Sequence, residues 1–121
     1  MEIKLKQEEH NKYLAVLQIL ANITSPKIKP FCDLRNRELE VFAILLYFYN
    51  DKYRHIPEPE RNQLIFSYDA RVEVSTRLGN LGMDTVYNLF ADLRKKGMIT
   101  KRNINPKYII PNLEELTIKF I

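Results

Sequence analysis

The sequence predicts a mainly α-helical protein with a small β-hairpin, an α+β chain folded as one domain. Three observations carry that expectation. Apolar residues recur at three- and four-residue steps through several long segments; the three glycines, Gly79, Gly82 and Gly97, all bracket one of those segments; and two short stretches, MITKR and KYII, flank a turn-forming NINP. At 121 residues, 45% hydrophobic and 28% charged, the chain has the size and composition of a single hydrophobic core. Residues 1–30 read as an N-terminal strand-and-helix extension, and residues 31–121 as the body of the domain.

Ile3 and Leu5 alternate with Glu2, Lys4 and Lys6, the period-two pattern of a short strand. EEHNKYLAVLQILANI places Tyr13, Val16, Leu17 and Leu20 on one face, which predicts an amphipathic helix. Pro26 and Pro30 then interrupt regular structure. NRELEVFAILLYFYND, with Leu39, Phe42, Leu46 and Tyr49 at helical spacing, reads as the central helix. Its second half, Val41 to Tyr49, is apolar nearly all the way round, so it must be buried on more than one side, by the rest of the domain or by a second subunit. Tyr47, Phe48, Tyr49 and Tyr53 belong to that apolar helix and its end, where packing rather than base stacking is expected of them.

Beyond Pro57 and Pro59, Asp69 to Leu78 reads as a helix, Gly79 to Met83 as a turn, and Asp84 as the N-cap of a further helix that stops before Gly97. In that last helix Val86, Leu89, Phe90 and Leu93 fall on one side. Asp84, Asn88, Ala91 and Lys95 then point away, with Thr85, Tyr87 and Arg94 on the flanks. MITKR and KYII follow as the two arms of a hairpin. At the C-terminal end Ile118 and Phe120 against Thr117 and Lys119 mirror the first strand; the two terminal strands would pair with each other or add to a partner's sheet edge.

Several function classes are disfavoured. Cys32 is the single cysteine and His10 and His55 are the only histidines, which leaves neither a disulfide scaffold nor a zinc finger. Cys32 itself is read as a small buried or indifferent thiol. The Val41 to Tyr49 run is far shorter than the roughly 18 apolar residues of a membrane span, so a soluble, cytoplasmic protein without a membrane partner is expected. The carboxylate pairs Glu8/Glu9, Glu58/Glu60 and Glu114/Glu115 are adjacent or in presumed loops, and no nucleophile, base and orienting acid stand together. An enzyme is not expected, nor any cofactor or metal.

The net charge is +4, and much of it is local: RKKGMITKRNINPK holds Arg94, Lys95, Lys96, Lys101, Arg102 and Lys107 with no carboxylate among them. The run TVYNLFADLRKKGMITKR resembles the recognition helix and first wing strand of winged helix-turn-helix DNA-binding proteins, and NPKYIIP with the terminal TIKF resembles small members encoded by tailed phages. The resemblance covers Asp69 to Pro111, although the turn between Leu78 and Val86 is longer than is usual there. It implies a winged-helix core over 31–121 and a double-stranded DNA-binding protein, a phage regulator of transcription or replication.

A helix fits the major groove with its exposed N-terminal residues toward base edges, while basic groups at its C-terminal end and in the wing meet phosphates. On that basis Asn88 would bond adenine, Thr85 and Tyr87 bases or phosphate, and Ala91 a thymine methyl. Arg94, Lys95, Lys101, Arg102 and Lys107 would supply the salt-dependent attraction. Symmetric operators would call for a homodimer, formed through the N-terminal helices. Two features weigh the other way: Asp84, unless consumed as a cap, and Asp92 lie on or near the exposed face and would repel phosphates, and Arg94, Lys95 and Lys96 also oppose the negative end of the helix dipole whatever the protein binds. The alternative is a winged-helix adaptor or virion assembly component with a phage or host protein as partner.

Overall fold

The computed structural model describes residues 10–22 and 33–109. The terminal strand candidates, Pro26, Pro30 and Cys32 lie outside them. Helix α1 spans Asn11–Ala21, α2 Asn36–Tyr47, α3 Glu60–Ile65, α4 Tyr68–Arg77 and α5 Met83–Lys95; a π turn, Phe48–Lys52, prolongs α2, and a 3-10 turn covers Pro106–Tyr108. The described chain is mainly helical. Helix α1 lies on α2, α2 on α5, and α5 on α4, while α3 bridges the π turn and α4.

Helix α2 is the axis of the core. Val41, Phe42, Ala43, Ile44, Leu45 and Leu46 are all fully buried, so the other segments of this one chain enclose it and no second subunit is needed. Tyr13 and Leu17 of α1 cover one side; Val86, Phe90 and Leu93 of α5 belong to the same cluster. At the π turn the Tyr53 N–H donates to the Phe48 carbonyl at 2.8 Å. Phe48 is turned inward, and Asp51 accepts the Tyr13 hydroxyl at 2.9 Å while meeting Lys12 at 3.2 Å. The aromatic run is therefore packing, as its position on the apolar helix implies: Phe48 is buried, and Tyr47, Tyr49 and Tyr53 lean on the core.

The prolines at 57 and 59 hide a helix. Pro59 stands directly before Glu60, where a missing N–H costs nothing, and Glu58 accepts the Asn62 backbone N–H at 3.1 Å, so α3 starts where a break was expected. Helix α4 begins a residue earlier than Asp69, because Ser67 caps it by accepting from the Ala70 N–H at 3.2 Å. Asp84 is not an N-cap: α5 starts at Met83 behind Gly82, which places Asp84 inside the first turn, exposed. There its charge still complements the positive helix end.

Both helices around the turn end in the same way. Gly79, with φ 86°, and Gly97, with φ 80°, take the left-handed conformation just past α4 and α5. After α4, Gly79 and Asn80 donate to the Thr76 and Ser75 carbonyls at 3.2 and 2.8 Å; after α5, Gly97 and Met98 donate to Arg94 and Leu93 at 3.1 and 3.0 Å. These are Schellman closures, and in the one after α5 Met98 is the buried apolar residue that accompanies such a turn.

The expected hairpin is reduced to one antiparallel bridge, Ile99 with Ile104, and no strand forms among the described residues. The cause is local. Thr100 and Asn103 close a tight turn, with the Thr100 N–H on the Asn103 carbonyl at 2.7 Å and the Thr100 hydroxyl accepting the Asn103 N–H at 3.0 Å. On the far side the Asn105 N–H reaches the Met98 carbonyl at 3.0 Å, and the next residue, Pro106, has no N–H to continue a ladder. Asn105 then caps the 3-10 turn, so KYII is not a second arm: Lys107 and Tyr108 are in that turn and Ile110 lies outside the described residues.

Buried Asn62 anchors this loop by accepting the Ile104 backbone N–H at 3.1 Å. Asn62→Ala leaves that N–H without a partner and should cost about 2 kcal/mol. Faster amide exchange at Ile104, with the amides of α2 still protected, is the expected signature.

Candidate functional site

Helix α5 turns four apolar residues inward, Val86, Leu89, Phe90 and Leu93, and leaves the remainder of its circumference available. Thr85, Tyr87, Asn88, Arg94 and Lys95 are exposed and Ala91 is half-exposed. Lys101 and Arg102 occupy the tip of the Thr100–Asn103 turn, and Lys107 stands on the 3-10 turn that follows; all three are exposed. The nine residues singled out from the sequence are thus at the surface, though they do not form a single constellation.

On one side of α5, Thr85, Asn88, Leu89 and Asp92 face Arg35, Asn36 and Arg37 at the start of α2 across an open groove of about 440 Å3. On the other side, the exposed Tyr87 ring carries the Arg71 guanidinium of α4 at 5.2 Å, and Arg71 also lies 5.3 Å from the Phe90 ring. Among the described residues its buried Nε has no hydrogen-bond partner, and the two rings are what the guanidinium rests on. Tyr87 is therefore a platform for Arg71 as well as a surface group. Arg35, Arg37 and Arg71 are the residues that sequence reasoning missed. Arg35 meets α5 only through a contact 57 positions away, and no local pattern announces it.

Of the two carboxylates on or near this face, Asp84 stays exposed in the first turn of α5, whereas Asp92 is paired. Asp92 accepts from Arg35 Nη2 at 2.7 Å. Arg35 is held in turn by Glu38, whose Oε2 accepts from Nη2 at 3.1 Å and from Nε at 3.3 Å, and whose Oε1 takes the Arg35 backbone N–H at 2.8 Å.

The three consecutive basic residues at the end of α5 divide. Arg94 and Lys95 are exposed, whereas Lys96 turns inward, its Nζ donating to Glu38 Oε1 at 2.6 Å and to the Asp33 carbonyl at 2.8 Å. Lys96 therefore latches α5 to the start of α2. Burial alone would raise the Glu38 pKa, but hydrogen bonds from Lys96 and from the Arg35 backbone and guanidinium outweigh it and hold the carboxyl below its ordinary value.

Among the described residues no three His, Cys, Asp or Glu side chains stand close enough together to hold a metal ion, and no helix is long and apolar enough to cross a membrane. Comparison with family models, with curated proteins and with solved structures finds no match.

Proposed function

We propose that the protein binds double-stranded DNA through α5 and the basic turn after it, in the manner of a small winged-helix regulator of phage transcription or replication. One observation carries the reading: the polar side of α5 is open to solvent while Asp92, the carboxylate nearest the basic end of that helix, is paired with Arg35, and the exposed Asp84 sits at the positive helix end that offsets its charge. In this reading Asn88 and Thr85 face base edges from the helix, and Ala91 offers a methyl-sized contact. Arg94, Lys95, Lys101, Arg102 and Lys107 meet phosphates, and Arg71, steadied by Tyr87, adds a cation on the α4 side. Ile19 of α1, 63% exposed, offers a contact through which two copies would match a two-fold operator. The competing role as a protein adaptor or virion component rests on the apolar Val41 to Tyr49 helix and the terminal strands as contact surfaces; Val41 to Leu46 are buried within the chain, the terminal strands lie outside the described residues, and Asp92, which also favoured it, is paired.

Fluorescence anisotropy with a labelled duplex tests this. Replacing both Lys101 and Arg102 with alanine should weaken binding roughly tenfold and flatten the dependence of log K on log salt by about 1.8 for two lost phosphate contacts. Asn88→Ala should instead leave the salt slope unchanged and reduce the difference between preferred and random sequences, by about 1–3 kcal/mol if its contact is bidentate. Absence of duplex binding at low salt, or indifference to the Lys101/Arg102 change, would overturn the reading.

A further inference from the structure

The groove between α2 and α5 contains a basic side chain that is fixed in place before any ligand arrives. Arg35 is 68% exposed, yet its guanidinium is held at Nε and Nη2 by Glu38, a carboxylate that is itself fully buried. The second Nη2 proton goes to Asp92 at 2.7 Å, and Nη1 bonds to nothing among the described residues. Arg37, the other cation on the groove wall, is occupied by Glu40 at 3.3 Å. Lys96 is occupied by Glu38.

We infer that Arg35 is a contact for a backbone phosphate and that Asp92 is its built-in competitor, occupying the guanidinium in the free protein and setting DNA affinity below the value the surface could reach. The inference rests on the DNA reading above and deepens it, adding a residue and a regulating charge to the same site.

Three features favour the exchange. A carboxylate oxygen and a phosphate oxygen make the same charge-assisted bond to a guanidinium, so one can replace the other without moving Arg35. Glu38 keeps Arg35 in place whichever acceptor is present, because its bonds use Nε and the other Nη2 proton. The Arg35–Asp92 pair is solvent-accessible at both ends, with exposures of 68% and 31%, and exposed pairs of this kind are weak enough for a phosphate to displace. Thr85 and Asn88 line the same groove. An acid placed beside them lowers attraction to any backbone equally, so contacts to bases account for a larger share of what remains.

Anisotropy titrations of a labelled duplex between about 50 and about 200 mM salt distinguish the outcomes. Asp92→Asn keeps the shape and removes the charge, leaving Arg35 facing at most a neutral amide oxygen that a phosphate readily displaces; it should tighten binding about three- to tenfold and steepen the salt slope by about 0.9, one added phosphate contact. Arg35→Ala in the Asp92→Asn background should return affinity and slope to about the wild-type values, whereas Arg35→Ala alone should weaken binding about three- to tenfold, since it leaves the Asp92 charge uncompensated beside the phosphates. Asp92→Ser repeats the test with a smaller side chain, and a thermal melt of each variant shows that it is folded. Binding of Asp92→Asn no tighter than wild type, or a gain that survives loss of Arg35, would overturn the inference while wild-type duplex binding left the broader reading standing. A wild-type chain that binds no duplex removes both.

Discussion

Phe90→Ala should lower the unfolding free energy by about 4 kcal/mol, a large share of the 5–15 kcal/mol that typically separates folded from unfolded domains. Phe90 is 1% exposed and belongs to the core cluster around α2. Its ring meets the Phe66 ring edge-on, with centroids 6.1 Å apart and planes at 83°, so truncation removes an aromatic pair as well as burial. It also withdraws one of the two rings beneath Arg71. A thermal melt should show a fall of about 10–20 °C, and Phe90→Leu, which keeps most of the volume, should recover the greater part of it. Equal stability of the alanine variant and the parent would mean that α5 is not seated on this core.

Glu38→Ala should cost about 3 kcal/mol. The carboxylate is fully buried and serves three groups: the Lys96 ammonium, the Arg35 guanidinium and the Arg35 backbone N–H at the start of α2. Lys96 is partly exposed and can turn to water once freed, which keeps the loss at the lower end for a broken buried pair. Glu38→Gln retains an acceptor and should lose roughly half as much.

The pH dependence has a definite sign. The folded state holds the Glu38 carboxyl below its ordinary value of 4.5, so its contribution is complete above that pH and disappears as acid protonates it below. Denaturant unfolding from neutral to acidic pH should show a stability loss in that acid range that Glu38→Gln lacks in part. Parallel acid profiles for the two proteins would remove this group from the account.

Much of the helical framework was legible in the chain because its signals are local. The spacing of Tyr13 and Leu17, the run from Val41 to Leu46 and the inward residues of α5 follow from periodicity, and Gly79 and Gly97 mark helix ends through backbone conformation alone. The failures have local and distant causes. Asp84 looked like a cap because that residue type often is one, yet Gly82 lets the helix begin before it. The proline pair concealed α3, since Pro59 is compatible with the position before a helix. Thr100 and Asn105 spend their side chains on turns and leave too little backbone for a ladder.

In the candidate site, exposure of the α5 residues was legible from the helical wheel. The pairing of Asp92 with Arg35, the inward turn of Lys96 and the stacking of Arg71 on Tyr87 were not. The two ion pairs join elements far apart in the chain, the stacking depends on how α4 and α5 cross, and charge pattern alone carries no information on which cation meets which partner.

The turn from Thr100 to Asn103 is closed by main-chain groups and the Thr100 hydroxyl, and it is moored through the Ile104 amide. Lys101 and Arg102 extend exposed from its tip, and among the described residues their side chains hold nothing in place. Evolution is thereby left two independent dials: substitutions at these two positions can retune the attraction for a polyanion in either direction with little penalty in folding, while residues 99, 100 and 104 keep the scaffold constant.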